Sequence, residues 1–229
     1  MPYPLSGKSS NFAPMELAEF VARAKSSLSQ ILDEPGAVLY SSCGTLQHGN
    51  FYFLGLNPGG AGGETIAASL DALSDKKSNA YRDESWENKR GKFKCGAHPL
   101  QRNACRLFEA LETRVEDVCA SNLIFSRSRG ERGAGYPEKA EICWPVHQLI
   151  LEIVRPRAIL TFGRQPFNFI AEKLRAGSLF EGPSGYGNWK FRIDHVPPTL
   201  VLIGLPHLSR FDVTGKDRVL EQIRAAIGR

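Results

Sequence analysis

Short apolar runs alternate along the chain with longer segments whose apolar residues recur at helical spacing. Four runs read as buried strands: FYFLGL at 51–56, DVCASNLIF at 117–125, RAILTFG at 157–163 and TLVLIGLP at 199–206. They are close to continuously apolar, the pattern of strands covered on both faces, and Gly and Pro punctuate their ends. AVLY at 37–40 reads as a further short strand, and GYGNWKFRI at 185–193 as an edge strand or hairpin. Ahead of these runs, Leu17, Phe20, Val21, Ala24, Leu28 and Leu32 share one helical face. Segments 98–112, 137–154, 164–174 and 216–227 also read as helices, with Pro145 a kink or restart in the second. Strand alternating with helix predicts an α/β fold, doubly wound. The expectation is three α/β/α layers around a central, mainly parallel, four-stranded twisted sheet. The length of 229 residues fits one domain spanning 1–229, with a loose arm at 1–13 and a long basic insertion at 61–97.

Composition narrows the class more than the function. Hydrophobic residues make up 42% and charged residues 23%, enough to bury a core without staples. No apolar run reaches the length of a membrane span, and the polar, Pro-containing start MPYPLSGKSSNFAP has no secretory apolar region. The five cysteines are odd in number and never at CxxC spacing, so reduced thiols in the cytoplasm are expected, with no disulfide framework and no metal or cofactor. A formal charge of +5 permits a polyanionic partner without requiring one. The charge is uneven, however. Residues 76–94 carry seven Lys and Arg against three Asp and Glu, interleaved with Tyr81, Trp86 and Phe93. That mixture suits either a solvated surface or a nucleic-acid contact.

Ligands of open α/β sheets bind at the carboxyl ends of the strands. The rule selects Gly55-Leu56-Asn57-Pro58-Gly59-Gly60, then Ser121-Asn122 with the arginines after it, then Gly163-Arg164, and last Leu205-Pro206-His207-Leu208-Ser209-Arg210. Asn57, Asn122 and His207 all fall at such ends, although each singly could be a turn, cap or surface residue. The Gly-rich turn lacks the GK[ST] and GxGxxG spacings of nucleotide-binding loops. There is no GxSxG elbow, no HExxH and no positioned carboxylate pair.

Taken together, these segments resemble the uracil-DNA glycosylase superfamily. FLGLNPGG is similar to its first motif, in the GxNPG form of the mismatch-specific and single-strand-selective branches. NLIF resembles the segment whose Asn reads the uracil edge, and HPLQRNACRLFEAL the HP-x-x-R helix of the mismatch-specific branch. PEKAEICWPVHQLILEIVRPRAILTFG resembles the helix and third strand, and LPHLSR stands where the second active-site motif belongs. The resemblance covers about 45–215.

It implies a monofunctional glycosylase that hydrolyses the N-glycosidic bond of uracil, or of other deaminated bases such as hypoxanthine or xanthine, in single- or double-stranded DNA. The protein would act as a monomer in base-excision repair, with no membrane partner. Asn57 would orient water and His207 would stabilise the departing base. Asn122 would read the pyrimidine edge. Gly55, Leu56, Pro58, Gly59 and Gly60 would line the pocket. Leu208, Ser209 and Arg210 would wedge into and grip DNA, with Arg127 and Arg129 alongside. The iron–sulfur branch is disfavoured because its paired CxxC is missing.

Two departures stand out. Aligned on Leu208-Ser209, Gly204 falls under the family's usual His or Asn. The loop is then shortened, with His207 reaching in from a shifted position; the alternative is that the role is lost. The window that normally supplies the base-stacking aromatic is empty; Phe93 is chosen for it, with Trp86 and Tyr81 as alternatives. A non-catalytic protein that binds uracil-containing or abasic DNA is the competing reading, and a nucleotide-processing enzyme a third.

Overall fold

A computed structural model describes residues 15–60, 62–88 and 91–228. The arm at 1–13 lies outside the described residues. In chain order the helices and strands are α1 (Leu17–Ser27), β1 (Phe51–Gly55), α2 (Ile66–Asp71), β2 (Glu87–Asn88), β3 (Gly91–Lys92), α3 (Pro99–Ala110), β4 (Cys119–Asn122), α4 (Glu138–Val154), β5 (Ala158–Phe162), α5 (Arg164–Leu174), β6 (Gly177–Tyr186), β7 (Trp189–Val196), β8 (Leu200–Leu205) and α6 (Asp217–Ala226).

The central sheet has the order β4-β1-β5-β8-β7-β6. The four anticipated strands form its parallel half, β4-β1-β5-β8. The expectation of four strands is corrected to six, because β6 and β7 fold back as an antiparallel hairpin on β8. β6 escaped the pattern because its GSLFEGPSGY is mostly exposed and rich in Gly and Pro. AVLY is not a strand. It runs beside β4 through separate bonds, Ala37 N–H to the Phe125 carbonyl and Tyr40 N–H to the Ala120 carbonyl, without a continuous ladder. It covers the edge that β4 would otherwise expose.

Alternate strand residues feed two cores. Tyr52, Leu54 and Ile159 pack beneath α1, α2, α4 and α5. Phe51, Phe53 and Leu160 pack beneath α3 and α6. Helices thus cover both faces; β1, β4 and β5 are buried along their whole length and β8 along most of its. Pro145 does not end α4, which runs through it to Val154; the proline only deprives the Glu141 carbonyl of its intrahelical donor.

The stretch 61–97 is less irregular than its composition suggests. α2 buries Ile66 and Leu70, and Tyr81 is fully buried against Phe53, ring centroids 5.3 Å apart. Gln101 causes this. Buried on the first turn of α3, it donates through Nε2 to the carbonyls of Ala80 (2.7 Å) and Glu84 (2.8 Å), drawing the 80–84 turn onto the sheet. Its Oε1 accepts from the N–H of His98, whose Nδ1 accepts from Leu100 N–H, closing a reciprocal cap. Among the described residues no helix is long and apolar enough to cross a membrane.

Candidate active site

Register brings the carboxyl ends of the parallel strands together. Gly55 pairs with Asn122, and Phe162 with Leu205. Beyond them the chain leaves the sheet at Asn57, Leu123, Gly163 and His207, so the first, second and fourth anticipated loops converge on one crevice.

Asn122 is the most informative residue in it. Its side chain lies at the end of β4, 5% exposed, and among the described residues its amide makes no hydrogen bond. The residue is buried, yet its amide is not among the sealed unpartnered polar atoms, so it still meets solvent and its hydrogen bonds are free for a ligand. Gly55 is what leaves room for it. A Cβ added there would lie 2.7 Å from Asn122 Oδ1 and 2.6 Å from Phe162 Cζ, so the amide and the ring share the space above one glycine.

Phe162 extends that surface to His207, ring centroids 5.3 Å apart and nearly perpendicular. His207 Nδ1 accepts from Ser209 N–H at 3.2 Å and lies 2.8 Å from Ser209 Oγ. With Nδ1 an acceptor, the proton of the neutral ring is on Nε2. Burial first, and the nearby Arg210 cation second, hold the pKa of His207 below the ordinary imidazole value. The ring is therefore a neutral donor at pH 7. Gly204 is fixed by packing: a Cβ there would stand 2.4 Å from Phe167 Cδ2. No histidine fits at 204, and His207 is the one histidine on this loop.

Asn57 is held from the opposite loop. Its Nδ2 donates to the Pro58 carbonyl and to Ser128 Oγ, both at 2.9 Å. Both amide hydrogens are engaged and Oδ1 remains an acceptor. Leu123 and Ile124 N–H donate to the carbonyls of Gly55 and Leu56, and Gly59 bridges to Ser128, so the two loops form one unit. Pro58 is buried, whereas Gly59 and Gly60 are exposed with open space beside them. Arg127 Nη1 donates to the Gly59 carbonyl at 2.9 Å, which makes it a clamp on the glycine turn, while Arg129 is exposed.

Other anticipated residues lie differently. Leu208 is fully buried in the core, and its carbonyl accepts from Asn103 Nδ2 of α3 at 2.7 Å. As a wedge it is corrected: its side chain is packed inward. Ser209 serves His207, and only Arg210 of the three is exposed. Phe93 is half-buried, edge-on to His98 at 5.1 Å, just after β3, where its N–H donates to the Trp86 carbonyl. Tyr81 is sealed in the core, and Trp86 packs against Tyr81 and His98. The ring beside Asn122 and His207 is Phe162 instead, which the sequence conceals inside an apolar strand. Tyr40 was also missed. Its hydroxyl is buried with no hydrogen-bond partner among the described residues, and burial pushes its pKa up.

Two hollows lie elsewhere. One of about 820 Å³ is lined by Cys95, Cys105, Glu109 and Glu116, and one of about 220 Å³ by His48, Phe51 and Cys119. Both open near the amino ends of β4 or β1, away from the convergent polar set. The five cysteines are free thiols. No protein-family model matches the chain, and no curated protein sequence matches it.

Proposed function

We propose that this chain is a monofunctional DNA glycosylase of the uracil-DNA glycosylase type, with the three-layer α/β/α fold of that superfamily. It acts as a cytoplasmic monomer that removes uracil or another deaminated base from DNA. The observation that carries the reading is the unpartnered Asn122 amide, buried beside Phe162 with the neutral His207 on the same ring.

An amide presents one acceptor and two donors, which can take the N3–H and a ring carbonyl of a uracil edge together. The flipped base lies against Phe162, in place of the Phe93 chosen from sequence. When the bond between C1′ and the base nitrogen breaks, its electron pair leaves with the base. His207 Nε2–H donates to the oxygen where that charge gathers, as an oxyanion hole does. Water then adds to the cationic C1′, oriented by Asn57 Oδ1; the surplus proton passes through solvent to the departed base anion, leaving the abasic hydroxyl and the neutral base. An amide is no general base near neutral pH, and water attacking an oxocarbenium needs little activation. Gly59 and Gly60 leave open space for the sugar-phosphate backbone.

The test is release of base from labelled oligonucleotides containing uracil, hypoxanthine or xanthine, in single and double strands. The expected result is an alkali-sensitive abasic product from at least the uracil substrate. Failure to release any of the three bases overturns the proposal. Salt-dependent binding without release would assign the non-catalytic role, and turnover of free nucleotides without DNA would assign the third.

A further inference from the structure

The sheet continues past β8 into the β6–β7 hairpin, to which the reading above gives no task. Tyr186 and Trp189 are paired, so only Gly187 and Asn188 make the turn. Gly187 has φ +52, the left-handed geometry of a tight two-residue hairpin. Among the described residues three large hydrophobic side chains are exposed. Two of them are Tyr186 (39%) and Trp189 (47%), ring centroids 6.4 Å apart.

The tip is held firmly. Buried Ser184 donates through Oγ to the Trp189 carbonyl at 2.8 Å, and Lys216 Nζ donates to the Gly185 carbonyl at 2.5 Å. The two rings are a directly opposed cross-strand pair, which steadies the hairpin and still leaves both faces of the pair open to a ligand.

Register says where they point. Arg192 pairs with Gly204 and Ile193 with Ile203, so β7 runs against β8. Trp189 therefore lies beyond the carboxyl end of β8, on the side where His207 leaves the sheet. β7 and β6 stand one and two strand spacings from β8, roughly 5 and 10 Å. Lys216 sits beside the tip and Lys190 follows it, the latter 2.6 Å from Glu181; Arg210 is exposed on the His207 loop. Rings flanked by cations suit unpaired bases and their phosphates. A second copy of the chain would instead add to the edge of β6, and that edge is blunted by Pro183 and by irregular register at 178–180 and 183–186.

We infer that Tyr186 and Trp189 form a stacking platform for single-stranded DNA, about two to three nucleotides from the His207 loop at roughly 3.4 Å each. The inference rests on the DNA reading for its partner, and it is tested without base release. The full chain is titrated into dye-labelled, uracil-free oligothymidylate while dye anisotropy is followed for every variant, and tryptophan emission is followed in the wild type. Quenching is expected in the wild type. Trp189→Ala should weaken binding about tenfold, the scale of one stacked base, and Trp189→Phe no more than about threefold. Wild-type protein that does not bind, or Trp189→Ala binding within twofold of wild type, overturns the inference. So does self-association abolished by Trp189→Ala. Uracil release alongside Trp189-independent binding sinks the platform and spares the proposed activity. Trp189-dependent binding without release does the reverse.

Discussion

Each core of this protein carries a histidine near a strand end, and the two are used differently. His147 on α4 is fully buried, with both ring nitrogens engaged. Its Nε2–H donates to the Leu123 carbonyl at 2.9 Å, and its Nδ1 accepts from the Tyr52 hydroxyl at 2.7 Å. His207 has Nδ1 engaged within its own turn, and among the described residues its Nε2–H has no partner. Both are neutral because burial disfavours the imidazolium. What separates them is completeness: a histidine whose bonds are all made holds the fold, whereas one with a spare donor can act on something else. Asn122 and Leu123 repeat the contrast side by side. The Leu123 carbonyl is tied to His147, while the amide one residue earlier has no partner among the described residues.

The contrast can be broken by substitution. The largest effect is expected at Asn122. Asn122→Ala should lower uracil release by about 10³–10⁴-fold with the fold intact, the discrimination of a site built around hydrogen bonds. Near-wild-type release would place base reading elsewhere. His207→Ala follows, at about 10²–10³-fold in rate, the scale of one charge-stabilising donor. A loss under threefold would make its spare nitrogen incidental.

His147 should respond to acid through stability. Burial, the main cause, lowers its folded pKa to about 4 from the 6.5 of an exposed imidazole. The unfolded chain therefore binds the extra proton first. Stability is complete above about 6.5 and is lost as pH falls through about 4, by about 3 kcal/mol in total. Urea midpoints at pH 7 and pH 4.5 should show that slope in the wild type and lack its His147 share in His147→Gln. An unchanged slope in the variant would mean that the buried ring does not titrate alone. The smallest effect belongs to Arg127→Ala, which frees the Gly59 carbonyl. About fivefold slower release is expected, near 1 kcal/mol for one partly exposed hydrogen bond, and no change would show that the glycine turn holds itself.

The same contrast explains what could be read before folding. The four parallel strands and α5 were legible because continuous apolar runs and helical spacing are local signals. Asn57, Asn122 and His207 were legible because a general rule places ligands at strand ends. Phe162 was not, since a Phe inside AILTF looks like every other core residue until the register sets it beside Gly55. Tyr81 misled for the opposite reason. Its basic neighbours suggested a surface, but Gln101, twenty residues on, folds its turn into the core. Leu208 sat on the expected loop, yet its direction depends on packing that the local sequence does not encode.

That inward turn of Leu208 has a consequence for how such a protein would search DNA. A wedge supplies unstacking energy from the protein, a few kcal/mol per base step. Here the side chain in that position is already committed to the core and tethered through its carbonyl to α3. The work of opening the helix would fall to the substrate's own breathing, and encounter would be fastest at frayed ends, mismatches, bubbles and gaps. Lesion location would then be governed by how often DNA opens by itself, with the crevice as the trap for what it releases.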